Sequence, residues 1–358
     1  MELEFSEDQQ ELRSTVRAFL ERECPISLVR SLVEKGAPAD ELWTHMVDLG
    51  WPALTVPEEY GGLGFGFVEL AVVAEELGRA MAPGPFLATV TQFVPAIRIA
   101  ATRDQQRRFL EPVAAGDLTG TMAVGDELLL AAPTDSGWAL SGTVRHVVDG
   151  DRADEIAVAA RVDEAWRLFV VRGAAVRKTR EHTLDQSRPL ATLTFENTAV
   201  EGDRAIDTSG DALDRVLEEA TAALALEMVG TCQSIFDLAL EYAKERHQFG
   251  VPIGSFQAVK HKLADMFVVL ERARATAYFA AATIAENDDR RPLAVAMAKA
   301  TAGDAQRLIA QEGIQLMGGI GYTWEHDMHL YVKRAKTGDA LLGTSSDHRA
   351  RVARMIGL

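Results

Sequence analysis

Cysteine is scarce in this sequence: Cys24 and Cys232 are the only two in 358 residues. Two isolated cysteines provide neither the ligand spacing of a zinc site nor the framework of a disulfide-stabilised domain. The first four residues, Met1–Glu4, are acidic and lack the apolar core of a secretion signal. These absences are typical of a protein in a reducing compartment, so a cytoplasmic location is expected.

Long hydrophobic runs and excess positive charge are also missing. The longest uncharged stretch, residues 80–97, contains Pro83, Pro85 and Pro95, which argue against a membrane-spanning helix. The chain has 37 Lys and Arg against 53 Asp and Glu, a net charge of −16. Because such a chain repels phosphate backbones, neither nucleic acid nor a membrane is expected as a partner.

What is present is a helical pattern, then a strand pattern, then a second helical pattern. Ser6 and Gln9 form a predicted capping box that opens a helix. Alternating apolar and polar runs between Gly, Asp and Pro predict strands within residues 119–200. Long helical segments with short loops then favour a four-helix bundle. The predicted N-terminal helices are at 6–23, 40–49 and 67–81, with others to about 115. The predicted strands are at 119–124, 144–148, 155–160, 168–171 and 191–195. The predicted C-terminal helices are at 211–245, 256–287, 292–317, 326–341 and from 346.

These patterns predict an α+β protein that is mostly α-helical. Its expected domains are an N-terminal α-helical domain at 1–117, a small β-barrel or sheet domain at 118–203, and a C-terminal four-helix bundle at 204–358. The length is ample to bury a core in each part.

Four short segments together carry a family resemblance: Pro57–Gly62, Glu75–Arg79, Tyr242–Gly250 and Gln315–Tyr322. Each is weak alone, since Arg-x-x-Phe-Gly is usually a charged helix end and a turn. In this order and spacing they resemble the acyl-CoA dehydrogenase superfamily along nearly the whole chain. The resemblance implies the acyl-CoA dehydrogenase fold, FAD as cofactor, and α,β-dehydrogenation of an acyl-CoA thioester. It also implies an oligomeric oxidoreductase of lipid metabolism, in fatty acid or steroid degradation.

One set of residues matches the groups that the family directs to the ADP half of FAD across a dimer interface. The chemistry is suitable, because a guanidinium offers a planar fork of donors to a pyrophosphate. Amide side chains can hydrogen-bond the cofactor, and glycines allow its close approach. The residues that take these roles by resemblance are Arg246, Gln248, Phe249, Gln257, Gln315, Gly318 and Gly319.

The catalytic carboxylate that the resemblance requires is absent from both positions used in the family. Leu342 replaces the glutamate that precedes a Gly-Thr pair, and Ala220 replaces the alternative glutamate on the first helix of the bundle. Glu218 and Glu219 lie about 100° and 200° around a helix from Ala220. Glu227 lies seven residues on, roughly on the same face but two turns away, where a structural contact is the more ordinary role. No catalytic residue is therefore assigned at the family positions.

The segments that face the flavin in the family also depart from its pattern. The stretch that corresponds to the family's Glu-Pro-Gly-x-Gly-Ser-Asp segment is residues 125–133, which looks shortened. The Trp-Ile-Thr that covers the flavin ring is replaced by His146-Val147-Val148, and Val148 has no hydroxyl to donate. No metal is expected, because the segment Glu325–His329 lacks the His-Glu-x-x-His spacing.

The losses fall on groups aimed at the chain's own flavin and substrate, whereas groups directed at a partner's FAD are present. This favours a non-catalytic subunit that completes a paralogue's site, similar to the shorter subunit of heteromeric bacterial acyl-CoA dehydrogenases of steroid side-chain degradation. Its expected partners are acyl-CoA and a paralogous catalytic subunit, with electron-transfer flavoprotein as a candidate acceptor. Two alternatives stay open: a self-sufficient, homo-oligomeric dehydrogenase with an unorthodox base such as Glu227, and a flavin-free interaction protein.

Overall fold

The structure is a computed structural model that describes residues 5–37, 39–125, 129–208 and 211–358. Its N-terminal part is helical. The Ser6 and Gln9 side chains form the predicted capping box. The helix after Pro25 was not predicted from sequence, because Pro25 provides no side-chain cap. The helices of this part are α1 (Glu7–Glu23), α2 (Ile26–Lys35), α3 (Asp40–Asp48), α4 (Phe67–Ala80), α5 (Phe86–Ala88), α6 (Val94–Ala100) and α7 (Arg103–Ala114).

A mixed eight-stranded sheet follows. Its strands are β1 (Gly120–Ala123), β2 (Leu130–Thr134), β3 (Gly137–Val148), β4 (Glu155–Val162), β5 (Ala165–Arg172), β6 (Arg177–Arg180), β7 (Leu190–Glu201) and β8 (Ala205–Ile206). They lie in the order β6-β7-β3-β2-β4-β5-β8, with β1 parallel to β4. All five predicted strands are confirmed. Strands β2, β6 and β8 of this sheet were missed, because none of them alternates clearly between apolar and polar residues and β8 has only two residues.

The sheet has its own apolar core, which includes Leu140, Ile156, Phe169 and Leu193. Strand β3 departs from regular pairing with β7 between Val144 and Val147. An irregularity of this kind bends a strand and turns side chains away from the regular alternation.

The C-terminal part consists of long helices. They are α8 (Ala212–Glu245), α9 (Gln257–Ala285), α10 (Arg291–Met317), α11 (Met328–Ala340) and α12 (Ser345–Met355), with a hairpin of β9 (His247–Gln248) and β10 (Val251–Pro252) between α8 and α9. Pro292 lies in the first turn of α10, as predicted. Helix α8 is long and apolar enough to cross a membrane by length and composition, but 78% of its most apolar window is buried inside the protein.

The chain forms two compact units. The first contains the described residues of Met1–Ala37, Phe67–Ala82 and Thr221–Leu358, and the second contains those of Pro38–Gly66 and Pro83–Ala220. Helices α1, α2 and α4 therefore group with the C-terminal bundle. The division into domains at 1–117, 118–203 and 204–358 stays a prediction from sequence.

The segment Glu75–Arg79 packs the interior of the first unit. A Cβ on Gly78 would come within 1.9 Å of the Glu227 carbonyl oxygen, so glycine permits the close approach of α4 and α8. The buried Glu75 carboxylate accepts hydrogen bonds from Arg274 at 2.9 Å and from the Tyr278 hydroxyl at 2.6 Å. Burial and the neighbouring Glu75 charge raise the pKa of Tyr278 well above its ordinary value. This motif thus contributes interior ion pairing and close helix packing.

Candidate functional site

The end of α8 leads into a tight hairpin. The Arg246 N–H donates to the Tyr242 carbonyl at 2.9 Å, and the Arg246 carbonyl accepts from the Ile253 N–H at 2.7 Å. The two loop residues, Phe249 and Gly250, both have positive φ, at 54° and 82°. Such a pair defines the tight two-residue turn that suits an antiparallel hairpin. The backbone therefore holds Arg246 at the base of a short, regular hairpin.

The predicted polar cofactor residues are exposed. They are Arg246, Gln248, Gln257 and Gln315. Within the described part of the chain, none of these four side chains makes a hydrogen bond or ion pair, in contrast to most arginines of the protein. Their donors and acceptors are therefore available to a ligand or another chain.

Phe249 is the most exposed large hydrophobic residue among those described, at 92%. Its ring contacts Phe256 edge-on, with the centroids 6.2 Å apart. Val251, on the return strand of the hairpin, is 39% exposed. Lys260, in the first turn of α9, is exposed and makes no ion pair with any described residue. The hairpin and the start of α9 thus combine apolar and cationic groups, which suits a ring system that carries phosphate.

Helix α10 ends at a glycine pair. Gly318 has φ 63° and ψ −142°, a conformation that glycine adopts at little cost. A Cβ added to Gly318 or Gly319 would meet nothing within 4 Å, so the backbone here is open to close approach from outside. The short turn that follows exposes Ile320 and Tyr322. The predicted glycines therefore have the access that a bound ligand would require.

The position of the missing base has the backbone of a constrained loop. Leu342 is half-buried and has φ 55°, a left-handed conformation that is costly for a branched side chain. Its carbonyl lies 2.8 Å from His348 Nε2. Burial lowers the pKa of His348, which favours the neutral ring with Nε2–H donating to this carbonyl. The side chain itself offers no group that can accept a proton.

A buried lysine fixes the same loop. Lys299 is fully buried on α10, and its Nζ donates to the carbonyls of Gly338 at 3.2 Å, Asp339 at 2.9 Å and Gly343 at 2.8 Å. The ammonium thus neutralises the C-terminal end of α11 and ties it to the Leu342 loop. Sequence analysis missed this residue, because a lone lysine in an alanine-rich helix gives no signal of burial.

The second position for a base is also apolar. Ala220 is 1% exposed on α8. Glu218 and Glu219 are buried as well, and Glu219 forms an ion pair with Arg98 of α6. Neither glutamate is an exposed carboxylate that could substitute for a base at Ala220.

Glu227 belongs to a buried ion pair between α8 and α11. Its Oε1 accepts from Arg334 Nη1 at 2.8 Å, and the two side chains are 7% and 3% exposed. A carboxylate held by a buried guanidinium is stabilised in its charged form, which makes it a weak proton acceptor. The geometry therefore favours the structural role for Glu227.

The flavin-facing replacements lie in the second unit. Val148 is buried at the end of β3, and its carbonyl accepts from the Thr121 hydroxyl at 2.6 Å. His146, in the irregular part of β3, has φ 59°, and its ring Nδ1 lies 2.6 Å from Glu181. Of the shortened stretch 125–133, Asp126, Glu127 and Leu128 lie outside the described residues.

The acidic segment after α10 contacts α2, and the two cysteines are buried. Across the ranges that the structure describes, no three His, Cys, Asp or Glu side chains are grouped to hold a metal ion. Asp327 instead binds Arg30 of α2 at 2.6 Å. Both cysteines are free and buried, and burial raises the pKa of Cys24 to about 12. The Cys24 thiol is therefore protonated and unreactive at neutral pH.

The N-terminal and C-terminal parts of the chain both match models of a known protein family. Residues 6–117 match the family description "Acyl-CoA dehydrogenase, N-terminal domain", and residues 211–357 match "Acyl-CoA dehydrogenase, C-terminal domain". Acyl-CoA dehydrogenase IpdE2 of Mycobacterium tuberculosis is 36% identical over 340 residues, which cover 94% of this chain and 93% of IpdE2.

Two solved structures agree in both fold and extent. The ChsE4–ChsE5 complex of Mycobacterium tuberculosis contains a chain with TM-score 0.93 and 28% identity, covering 99% of both chains. A chain of the Tcur3481–Tcur3483 steroid ACAD gives TM-score 0.89 and 29% identity, covering 98% of both. The fold expected from the sequence is thereby confirmed, and the chain belongs to the acyl-CoA dehydrogenase family.

Proposed function

We propose that this chain is the non-catalytic subunit of a heteromeric, FAD-dependent acyl-CoA dehydrogenase. The observation that carries the proposal is a contrast within the first unit. Arg246, Gln248 and Gln315 are exposed and make no side-chain hydrogen bond within the described chain, whereas Leu342 stands where a base is required. The chain thus has groups to offer to a cofactor and no carboxylate at the family position to perform proton abstraction.

In this proposal Arg246 binds the pyrophosphate of FAD held mainly by a paralogous subunit. Gln248, Gln257 and Gln315 hydrogen-bond the ADP half, Phe249 covers a ring face, and Gly318 and Gly319 allow the cofactor to approach the backbone. These residues fit the group because their donors are exposed and the glycines are sterically open. FAD supplies the redox chemistry when bound, and this chain supplies binding and orientation.

The similar proteins support a partner of this kind. The ChsE4–ChsE5 structure is a complex of two different chains, and the Tcur3481–Tcur3483 protein is described as a steroid ACAD. By analogy, the assembly would oxidise an acyl-CoA thioester in lipid degradation, with steroid side chains as one candidate class and electron-transfer flavoprotein as a candidate acceptor. A cytoplasmic location and an oligomeric state belong to the same proposal.

A self-sufficient enzyme is the second candidate, and Glu227 is its only base suggested by the sequence. The buried pair with Arg334 disfavours it. A flavin-free interaction protein is the third candidate. It would not use the exposed Arg246 and Gln248 side chains of the hairpin to bind a cofactor.

The test is the flavin content of the purified protein, alone and co-expressed with its genomic neighbour. Flavin absorbance in the co-expressed complex only would support the non-catalytic subunit. A yellow isolated chain that oxidises an acyl-CoA would support the self-sufficient enzyme. Colourless protein in both preparations would exclude both flavoenzyme functions.

A further inference from the structure

A buried histidine lies under the segment that carries Gly318 and Gly319. His329, on the first turn of α11, is 7% exposed, and neither ring nitrogen has a hydrogen-bond partner among the residues that the structure describes. Its ring packs against Trp324, with the centroids 4.6 Å apart and the planes at 62°. A buried imidazole without partners is tolerated far better as the neutral ring than as the cation.

Trp324 connects this histidine to the glycine segment. It follows the turn Gly318–Tyr322 by two residues. Its carbonyl accepts from Arg30 Nη1 at 2.6 Å, and Lys333 Nζ lies over its ring at 4.0 Å from the centroid. Trp324 is 59% exposed, and His329 packs against the part of its ring that faces the protein. The Trp324–His329 contact is therefore one of the contacts that hold the segment, beside those that Arg30 and Lys333 make with Trp324.

The charges around His329 oppose its protonation. The positive charges of Arg30 on α2 and Lys333 on α11 oppose a positive charge on His329. The negative charges of Asp327 and Glu34 favour it. Both carboxylates already bind Arg30, Asp327 at 2.6 Å and Glu34 at 2.5 Å. Burial, followed by Lys333 and Arg30, lowers the pKa of His329 from its ordinary value of 6.5.

We propose that neutral His329 is a positioning residue that holds Trp324, and through it residues 318–327, in the conformation that receives the cofactor. The inference rests on the proposed function, because Gly318 and Gly319 belong to the proposed half-site, the set of residues by which this chain would bind the ADP half of FAD. Protonation would place an unpaired cation beside Arg30 and Lys333 and loosen the contact. Because the folded-state pKa is lowered, the contact is intact above pH 6.5 and is lost as the pH falls through the folded-state pKa.

The test uses the full chain and two measurements at pH 7.5 and pH 5.5. The first is amide hydrogen exchange of the peptide spanning residues 318–327, corrected for the intrinsic pH effect. The second is the affinity for ADP, measured by equilibrium dialysis. We expect faster exchange and weaker ADP binding at the lower pH, because protonation of the buried ring opposes its contact with Trp324.

His329→Leu separates positioning by the neutral ring from a general effect of acid. The leucine fills a similar space and cannot be protonated, so it should restore slow exchange and ADP binding at both pH values. His261→Leu, at an exposed histidine near the start of α9, is the matched control and should keep the wild-type pH response. An unchanged pH response in His329→Leu, or equal exchange at both pH values in the wild type, would overturn the proposal.

Failure of the proposed function can be distinguished from failure of the proposal about His329. If no variant binds ADP at pH 7.5, the isolated chain does not hold the ADP half by itself. The flavin content of the co-expressed complex then decides the proposed function, and hydrogen exchange decides whether His329 controls the segment. If His329→Leu does not fold, His329→Gln provides a second neutral side chain for the same two measurements, with the same outcomes.

Discussion

The hairpin after α8 and the loop after α11 belong to the same compact unit but use their polar groups in opposite ways. In the hairpin, Arg246 and Gln248 are exposed and make no side-chain hydrogen bond to any described residue. In the loop, the backbone around Leu342 is held by Lys299 and His348. The polar side chains of the hairpin are available to a group outside the chain, whereas the backbone carbonyls of the loop are hydrogen-bonded within it. The hairpin thus exposes polar groups to its surroundings, whereas the loop at the position of the missing base is held by contacts within the chain.

Glu227 should give the largest effect, because it tests whether the interior is structural. Glu227→Ala removes the carboxylate that faces the buried Arg334 charge, so we expect the free energy of unfolding to fall by about 3–5 kcal/mol. Urea denaturation followed by circular dichroism measures the change. Replacing the pair together, Glu227→Leu with Arg334→Met, should recover most of the loss. Unchanged stability combined with lost turnover in the complex would instead identify Glu227 as a base.

Arg246 tests the outward-facing region. Arg246→Ala should remove a charge-assisted pair worth about 1.5–3 kcal/mol, which is about tenfold to 150-fold weaker FAD binding. Fold and assembly should survive, because the side chain is exposed. Arg354→Ala, at an exposed arginine of α12, is the matched control. Fluorescence titration of the co-expressed complex with FAD measures the effect, and equal affinity in wild type and Arg246→Ala would end the half-site hypothesis.

Phe249 tests whether the same region meets another chain. We expect a dimer, or a dimer of dimers, with an apolar interface above about 2,000 Å². Phe249→Ser should then weaken subunit association by about 1–2 kcal/mol, since a buried aromatic anchor is lost. Leu184→Ser changes an exposed apolar residue of the second unit and should have no effect. Light scattering across a concentration series measures association, and a monomer at micromolar concentration with or without the partner would contradict the prediction.

A substitution at Leu342 should give the smallest effect: we expect no change in the activity of the isolated chain. Leu342→Glu restores a carboxylate at the family position, but Val148 still has no hydroxyl to offer. We therefore expect no acyl-CoA oxidation by the isolated chain, with Leu342→Gln as the uncharged control. Turnover by isolated Leu342→Glu in an electron-acceptor dye assay would show that its own flavin side is competent.

Much of the fold could be read from local sequence. The Ser6–Gln9 capping box, Pro292 in the first turn of α10, and the alternation in β7 act over a few residues, so sequence alone determined those elements. The family could be recognised because its motifs are contiguous. The nature of Leu342 and Ala220 was equally evident, because a missing carboxylate needs no structure to be noticed.

Only the tertiary structure decided what the interior polar residues do. Glu227 and Arg334 are 107 residues apart in the sequence, and Lys299 binds carbonyls about 40 residues away. A local sequence pattern therefore cannot predict either contact. In the sequence His329 is only the last residue of the segment Glu325–His329, and the structure shows it packed against Trp324 and buried without a hydrogen-bond partner among the described residues. The physical reason is that burial and charge pairing depend on which distant segments the fold brings together. Sequence fixes the chemistry of each side chain, and its surroundings decide whether that chemistry faces a ligand or the core.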